Sequence, residues 1–360
     1  MTGRKVRLAI LYGGRSAEHE VSVVSARSMM AAIDRTKYDV VPIAITKDGR
    51  WLLPARTPEQ LESKPGALPD TGEEGTGVAL VREGAETALR PLGGGEGLGA
   101  VDVVFPVLHG PYGEDGTVQG MLELAGVPYV GAGVLASALG MDKEMQKQLF
   151  ASRGLRVVPY IHVHVEDWRR NPDSLMELAE GEIGYPCFTK PANLGSSVGI
   201  SKCRTIDELR AGLEEALSYD RKALVERAIA ARELECAVLG NEEPEASIVG
   251  EVVPHHEFYD FGAKYLEEGS ELRIPAPVAD TVSEEVRRMA VEAFRAIDGA
   301  GMARVDFFYE DATGTLYLNE INTIPGFTPI SMYPKLWEAS GVPYAKLIDR
   351  LIELALEHHG

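Results

Sequence analysis

The sequence predicts a mixed α/β and α+β protein of three lobes: an N-terminal Rossmann-like parallel-sheet lobe (1–141), a central α+β lobe (142–226) and a C-terminal antiparallel-sheet lobe (227–360). Three observations carry this. Roughly the first 140 residues alternate short apolar runs with stretches of helical apolar spacing, the signature of parallel strands joined by helices. The middle interleaves short strands with three helices. The last third runs through four strand-like segments with only two helical ones. At 360 residues, 45% hydrophobic and 25% charged, the chain is long enough for several cores.

In order, KVRLAILYGG is an apolar run stopped by two glycines, and residues 17–33 carry Val21, Val24, Met29, Ala32 and Ile33 at helical spacing. Strands are expected at 38–45 and 101–108, the latter ending in His109-Gly110. Ligands of such sheets gather at strand ends, here Gly13-Gly14 and His109-Gly110. Residues 54–99, rich in Gly, Pro and Glu, read as a surface excursion with a small hairpin (78–81, 87–92). GGGEGLG within it lacks the Lys-Ser/Thr of a phosphate loop and reads as linker. A helix over 143–152 follows, then a helix near 174–179, a strand at 187–190, the loop PANLGSSVGI, a helix at 206–217 and a strand at 223–226. Strands at 234–240, 247–253, 303–310 and 315–322 and helices at 283–297 and 343–357 complete the chain.

A net charge of -19 argues against nonspecific contact with nucleic acid or an anionic membrane. Cys187, Cys203 and Cys236 form no CxxC pair, so a reducing compartment fits best. The apolar run at 6–11 is too short for a signal-peptide core and nothing reaches transmembrane length, so a cytoplasmic protein is expected.

Several constellations could carry chemistry. In the hairpin ARVDFFYEDATGTLYLNEIN, strand alternation puts Arg304 and Asp306 on one face and pairs Glu320 with Asn322. A three-residue loop at Ala312-Thr313-Gly314 would set Asp306 opposite Glu320. Facing carboxylates repel unless a cation lies between them, and Asp, Glu and Asn oxygens suit a hard divalent ion; a solvated polar strand face is the plainer alternative. Lys190 ends a strand before Gly195-Ser196-Ser197-Val198-Gly199, whose backbone could wrap phosphate oxygens, although such loops are often mere turns. Glu226 could accept from an adenine amino group and Glu233 from ribose hydroxyls, or both are surface glutamates. In GGRSAEHEVS, Ser16 or Ala17 opens a helix. Glu18 there is explained by capping alone, or it receives an ammonium group. His162 and His164 alternate with valines and read as the exposed face of a strand rather than a metal site. His255-His256 lacks a third ligand nearby, and His358-His359 lies at the terminus.

Together GGRSAEHEVS, FPVLHGPYGEDGTVQGMLELAGVPYVGAGVLASALGMDK, TKPANLGSSVGISK, FYDFGAKY, ARVDFF and NEINTIPGFTPISMYP resemble the D-alanine–D-alanine ligases of the ATP-grasp superfamily over nearly the whole chain. The resemblance implies an ATP-grasp fold and ATP-dependent joining of two D-alanines through an acyl phosphate. It implies that Lys143, Lys190 and Lys264 bind phosphates, with Ser196, Ser197, Phe258 and Asn319 also in the ATP site. Glu226, Ala228, Ile229 and Glu233 would hold adenosine, and Asp306, Glu320 and Asn322 two Mg²⁺ (or Mn²⁺) ions. Glu18 would grip the first D-alanine's ammonium, oriented by Ser196 and Tyr265, with His109 near its carboxylate. Arg304 and the Gly326 N–H would face the oxyanion, and Ser331 with Met332 the second D-alanine's carboxylate. A closing loop over 257–272, a homodimer and activation by a monovalent cation such as K⁺ belong to the same set of expectations. Tyr265 favours D-alanine over D-lactate as second substrate, and D-lactate or D-serine ligation on the same fold is the nearest alternative. A dinucleotide-dependent oxidoreductase fits less well, because Gly13-Gly14 is followed by Arg15-Ser16-Ala17 and not by GxGxxG.

Overall fold

The computed structural model describes residues 4–61, 68–84, 86–195, 198–254, 270–328 and 330–360. The expected contributions of Ser196, Ser197, Phe258, Lys264 and Tyr265, and most of the expected closing loop, lie outside the described residues.

The first sheet has six strands in the order β5-β4-β3-β2-β1-β6. β1 (Val6–Gly13), β2 (Tyr38–Ile45) and β6 (Val103–Val107) are parallel, and the burial of most of their residues, on both faces of the sheet, explains their nearly continuous apolar sequence. Helix α1 (His19–Ala32) packs Val23, Ala26, Met29 and Met30 onto them. Of the excursion expected over 54–99, the small hairpin is present, but its reading as a surface excursion apart from the sheet is corrected. β3 (Trp51–Pro54), β4 (Gly75–Glu83) and β5 (Glu86–Pro91) extend the same sheet antiparallel, burying Leu52, Val78 and Leu89. The glycines and prolines that obscure these strands serve the bends between them; Gly75 sits at φ +159° where a Cβ would lie 2.5 Å from the Leu53 carbonyl. α2 (Thr117–Ala125) and α3 (Val134–Met141) follow β6.

The second sheet, β7-β10-β8-β9, is antiparallel throughout. Its strands are β7 (Tyr160–His164), β8 (Cys187–Pro191), β9 (Ser201–Cys203) and β10 (Lys222–Arg227). α4 (Lys143–Ser152), capped by the Asp142 carboxylate accepting from the Glu144 and Met145 N–H groups, leads into it. α5 (Val165–Arg170), α6 (Pro172–Glu182) and α7 (Ile206–Tyr219) accompany the sheet, and Met176, Ala179, Leu209, Leu213 and Ala216 join Val163 and Val225 in one core.

The third sheet, β13-β12-β11-β14-β15, is also antiparallel. It comprises β11 (Arg232–Gly240), β12 (Glu245–Pro254), β13 (Ser270–Arg273), β14 (Gly301–Glu310) and β15 (Thr315–Asn322). α8 (Asp280–Ala296) buries Val286, Met289, Ala290 and Phe294 against one face. α9 (Met332–Ala339) and α10 (Tyr344–His359) lie in a core that also holds Leu8, Ile10 and Tyr12 of β1. One apolar core therefore runs from the first sheet into the third.

Candidate active site

Strand ends from all three sheets converge. β1 ends in the positive-φ pair Gly13 (+92°) and Gly14 (+98°); a Cβ on Gly13 would stand 2.3 Å from the Ile45 carbonyl, so only glycine fits that turn. A cavity of about 160 Å³ lined by Gly14, Arg15, Leu108, His109, Tyr112 and Met121 opens there, where the sequence placed ligand binding. The helix start is corrected by about two residues. α1 begins at His19 with Glu18 at its cap, and Ser16 is not the capping residue: its hydroxyl accepts the Glu18 N–H (3.1 Å) and donates to the His109 carbonyl (2.6 Å). Glu18 is thereby aimed at the junction with the second sheet. A Cβ on Gly195 would lie 3.2 Å from its Oε2, so the glycine-rich loop of the central lobe meets the N-terminal lobe here.

His109 is buried, with Nε2 3.2 Å from Ser25 Oγ, and Nδ1 3.2 Å from the Ile324 carbonyl and 3.6 Å from Glu114 Oε1. Burial disfavours the imidazolium, but Glu114 more than offsets this and raises the pKa of His109. Sequence reasoning did not single out Glu114; the signal was its place five residues after His109 in HGPYGEDG.

On the central sheet, Lys190 Nζ donates to Glu226 Oε2 at 2.7 Å, and Lys147 Nζ lies 3.2 Å from Glu226 Oε1, an oxygen that is buried without a hydrogen bond. Glu226 is 2% exposed. Burial alone would raise its pKa, yet the two ammonium groups prevail and pull it down to about 2. Lys147, 1% exposed, is a site residue the sequence reading missed; its only hint is a lysine on the apolar side of α4. The Ala228 N–H is bonded to the Pro186 carbonyl (3.1 Å), so that one donor is committed within the protein.

The third sheet contributes a row of acids. Glu235 on β11 pairs with Asp306 on β14, which pairs with Glu320 on β15. The facing of Asp306 and Glu320 is as expected, but its cause differs. The β14–β15 turn spans four residues (311–314), and a bulge at Asn319 resets the register, returning Leu318 and Ile321 to the core while Glu320 and Asn322 face the site. Arg304 lies across the row. Its Nε and Nη2 each donate to Asp306 at 2.7 Å, and Nε is 2.9 Å from Glu235 Oε2. Burial opposes its charge, but Asp306 and Glu235 hold its pKa well above the ordinary value. Asn322 Nδ2 donates to Asp306 (3.0 Å). Lys143 connects the row to the central lobe, its Nζ 4.0 Å from Glu320 Oε2 and bonded to the Leu194 carbonyl at 2.5 Å. The Asn319 carbonyl accepts Lys147 Nζ at 3.3 Å. Glu235 was missed although RELEC alternates it with Glu233, which is exposed on the same strand.

Beyond β15, a Cβ on Gly326 would lie 2.9 Å from Ser331 Oγ, and that oxygen accepts the Thr328 N–H at 3.0 Å. Ser331 precedes the first turn of α9 and Met332 is buried within it. Acidic and basic side chains from three sheets thus surround one junction, a setting suited to binding a polyanion with its counter-ions.

The sequence matches the family models described as D-ala D-ala ligase N-terminus over residues 7–132 and D-ala D-ala ligase C-terminus over residues 149–353. The chain belongs to the D-alanine–D-alanine ligase family. It is 50% identical over 356 residues to the D-alanine–D-alanine ligase of Geobacillus thermodenitrificans (strain NG80-2), covering 99% of this chain and 96% of that one. It is 52% identical over 364 residues to the ligase of Thermoanaerobacter sp. (strain X514), at 99% and 98% coverage. Among solved structures it is similar to the D-alanine–D-alanine ligase from Coxiella burnetii (TM-score 0.85, 36% identity, 99% of this chain and 95% of that one). It is also similar to the VanG D-Ala:D-Ser ligase from Enterococcus faecalis (TM-score 0.84, 34% identity, 98% and 100%). These ligases share the ATP-grasp architecture of three sheets seen here. No helix among the described residues is long and apolar enough to cross a membrane.

Proposed function

We propose that the chain joins two D-alanine molecules with ATP, releasing ADP and phosphate and producing the D-alanyl-D-alanine of peptidoglycan precursors in the cytoplasm. The observation that carries this reading is the Glu235–Asp306–Glu320 row bridged by Arg304 and faced by Lys143, in a chain about 50% identical to named ligases. The first step transfers the terminal phosphoryl group of ATP to a D-alanine carboxylate, turning a poor leaving oxygen into a good one. In the second, the amine of another D-alanine forms the new C–N bond and loses a proton as phosphate departs.

Lys143 and Lys190 neutralise phosphate oxygens, and Ser196, Ser197, Lys264 and Phe258 complete that site on the family resemblance. Glu226, with Ala228, Ile229 and Glu233, is assigned to adenosine on the family resemblance. Asp306, Glu320 and Asn322, with Asn319 adjoining, offer the oxygen donors that Mg²⁺ or Mn²⁺ takes, and the fit is good because opposed carboxylates need a cation between them. Two such ions supply charge neutralisation of the nucleotide phosphates. Arg304, held beside the set by Asp306 and Glu235, and the Gly326 N–H would face the oxyanion. Glu18 holds the first ammonium group with Ser196 and Tyr265, His109 lies by the carboxylate, and Ser331 and Met332 receive the second amino acid. Division of the chain at 141/142 and 226/227, closure of 257–272 to exclude water, K⁺ activation and a homodimer belong to the same proposal. Exposed Leu92 (71%), Leu124 (89%) and Leu135 (58%) on the N-terminal lobe support the homodimer.

The test is ADP release with D-alanine, L-alanine, and D-alanine paired with D-lactate or D-serine. D-Alanine alone should support turnover and L-alanine should not. The similarity to a D-Ala:D-Ser ligase makes D-serine the competing second substrate. If D-serine or D-lactate outcompetes D-alanine near neutral pH, the reading of the second subsite is wrong.

A further inference from the structure

β7 is an edge strand of the second sheet, and its outer face carries two histidines the proposed reaction does not use. His162 and His164 point the same way because strand side chains alternate, and their rings stand 5.7 Å apart, nearly perpendicular. Glu144, in the first turn of α4, closes the group from above. One ligand atom from each of the three lies within 4.8 Å of the others, and His162 Nδ1 is 3.6 Å from Glu144 Oε1.

We propose that Glu144, His162 and His164 form a binding site for a transition-metal dication of the zinc class, separate from the Asp306–Glu320–Asn322 set. Two imidazoles and one carboxylate are the ligand types that Zn²⁺, Co²⁺ or Ni²⁺ takes and that Mg²⁺ does not favour. The surroundings orient the carboxylate. Lys222, opposite His164 in the strand register, bonds Glu144 Oε2 at 2.9 Å and Asp142 at 2.5 Å, so Oε1 is the oxygen left facing the histidines. Gln148 donates to that same Oε1 at 3.0 Å, which fixes its direction and leaves its other lone pair for a metal. Glu144 is nearly buried while the His162 side chain is 49% exposed. One ligand is therefore anchored and the imidazoles are free to rotate inward, as a tetrahedral site with ligand atoms roughly 3.3 Å apart requires. Solvent supplies the fourth position. A bound ion would tie the start of α4, which carries Lys143 immediately before Glu144, to the edge of the sheet that carries Lys190 and Glu226. The site thus has a direct mechanical route to the proposed nucleotide pocket.

The experiment is titration of the full-length protein with Zn²⁺ alone, in millimolar-excess Mg²⁺, by calorimetry, with Co²⁺ absorption as a second readout. The expected result is one equivalent of Zn²⁺ bound, a tetrahedral Co²⁺ spectrum, and a rise in the thermal midpoint. H162N and H164N should each weaken Zn²⁺ binding at least about tenfold while leaving zinc-free ADP release unchanged. E320A should bind Zn²⁺ as the unaltered protein does, which separates this site from the catalytic ions. Absence of Zn²⁺ binding, or equal binding in both histidine variants, would overturn the proposal; equal binding would assign the ion to other histidines or to the carboxylate row.

Discussion

At the scale of single residues, the site is a set of charges that satisfy one another until substrates arrive. Asp306 accepts from Arg304 and Asn322, and Glu226 lies between Lys147 and Lys190. Removing Glu320 takes away one side of the metal set without touching the core, since its side chain is 29% exposed. E320A should therefore lose D-alanine-dependent ADP release by more than about a hundredfold with an unchanged circular dichroism spectrum. Full activity in that variant would show that the metal assignment is misplaced. Glu226 predicts a pH effect on stability. Its folded pKa of about 2 lies below the ordinary 4.5, so its stabilisation is fully present above pH 4.5 and disappears as pH falls towards 2. The difference corresponds to about 3 kcal/mol. E226Q should thus be less stable than the parent at pH 6 in urea titrations, and the gap should narrow steadily below pH 4.5. A gap that stays constant across that range would mean that the two lysines do not hold Glu226 ionised.

At the scale of elements, what sequence could reveal followed the kind of signal each element carries. β2, α4 and β15 have the expected bounds because apolar periodicity and clear stops frame them. β4 and β5 are the small hairpin expected at 78–81 and 87–92, but β3 and the joining of all three to the parallel sheet were not legible, since half-exposed strands among glycines lack a continuous apolar run. The LNEIN segment is instructive in another way. Strict alternation would put Leu318, Glu320 and Asn322 on one face, and only the extra residue of a bulge lets Leu318 enter the core while both polar groups stay at the site. No local propensity announces that bulge; it is set by partners on β14. Glu235, Lys147 and Glu114 were overlooked for the same reason, because their meaning comes from a neighbouring strand or helix. Packing between elements also yields a prediction. A Cβ on Gly212 of α7 would stand 2.5 Å from Thr189 Oγ1 and 3.0 Å from Cys203 Sγ, both in the underlying sheet. G212V should push α7 off β8 and β9, costing about 1–3 kcal/mol in urea denaturation. An unchanged midpoint would show that this interface has slack.

At the scale of the whole molecule, the exposed leucines of the first lobe bear on assembly. L124K should shift a sedimenting dimer towards monomer while the thermal midpoint of the protomer holds. An unshifted species would move the proposed interface elsewhere. The three sheets are not equally joined. Residues of β1, β6, β11, α9 and α10 share a single core, and Lys37 adds a 2.7 Å bond to Asp349 of α10. The core of the second sheet, by contrast, is made wholly from residues between 161 and 225. In engineering terms, the first and last thirds of the chain form the frame and the middle third is the separately built jaw. Cleaving or excising the frame at either end would expose one continuous apolar seam, whereas the jaw keeps a packed core of its own.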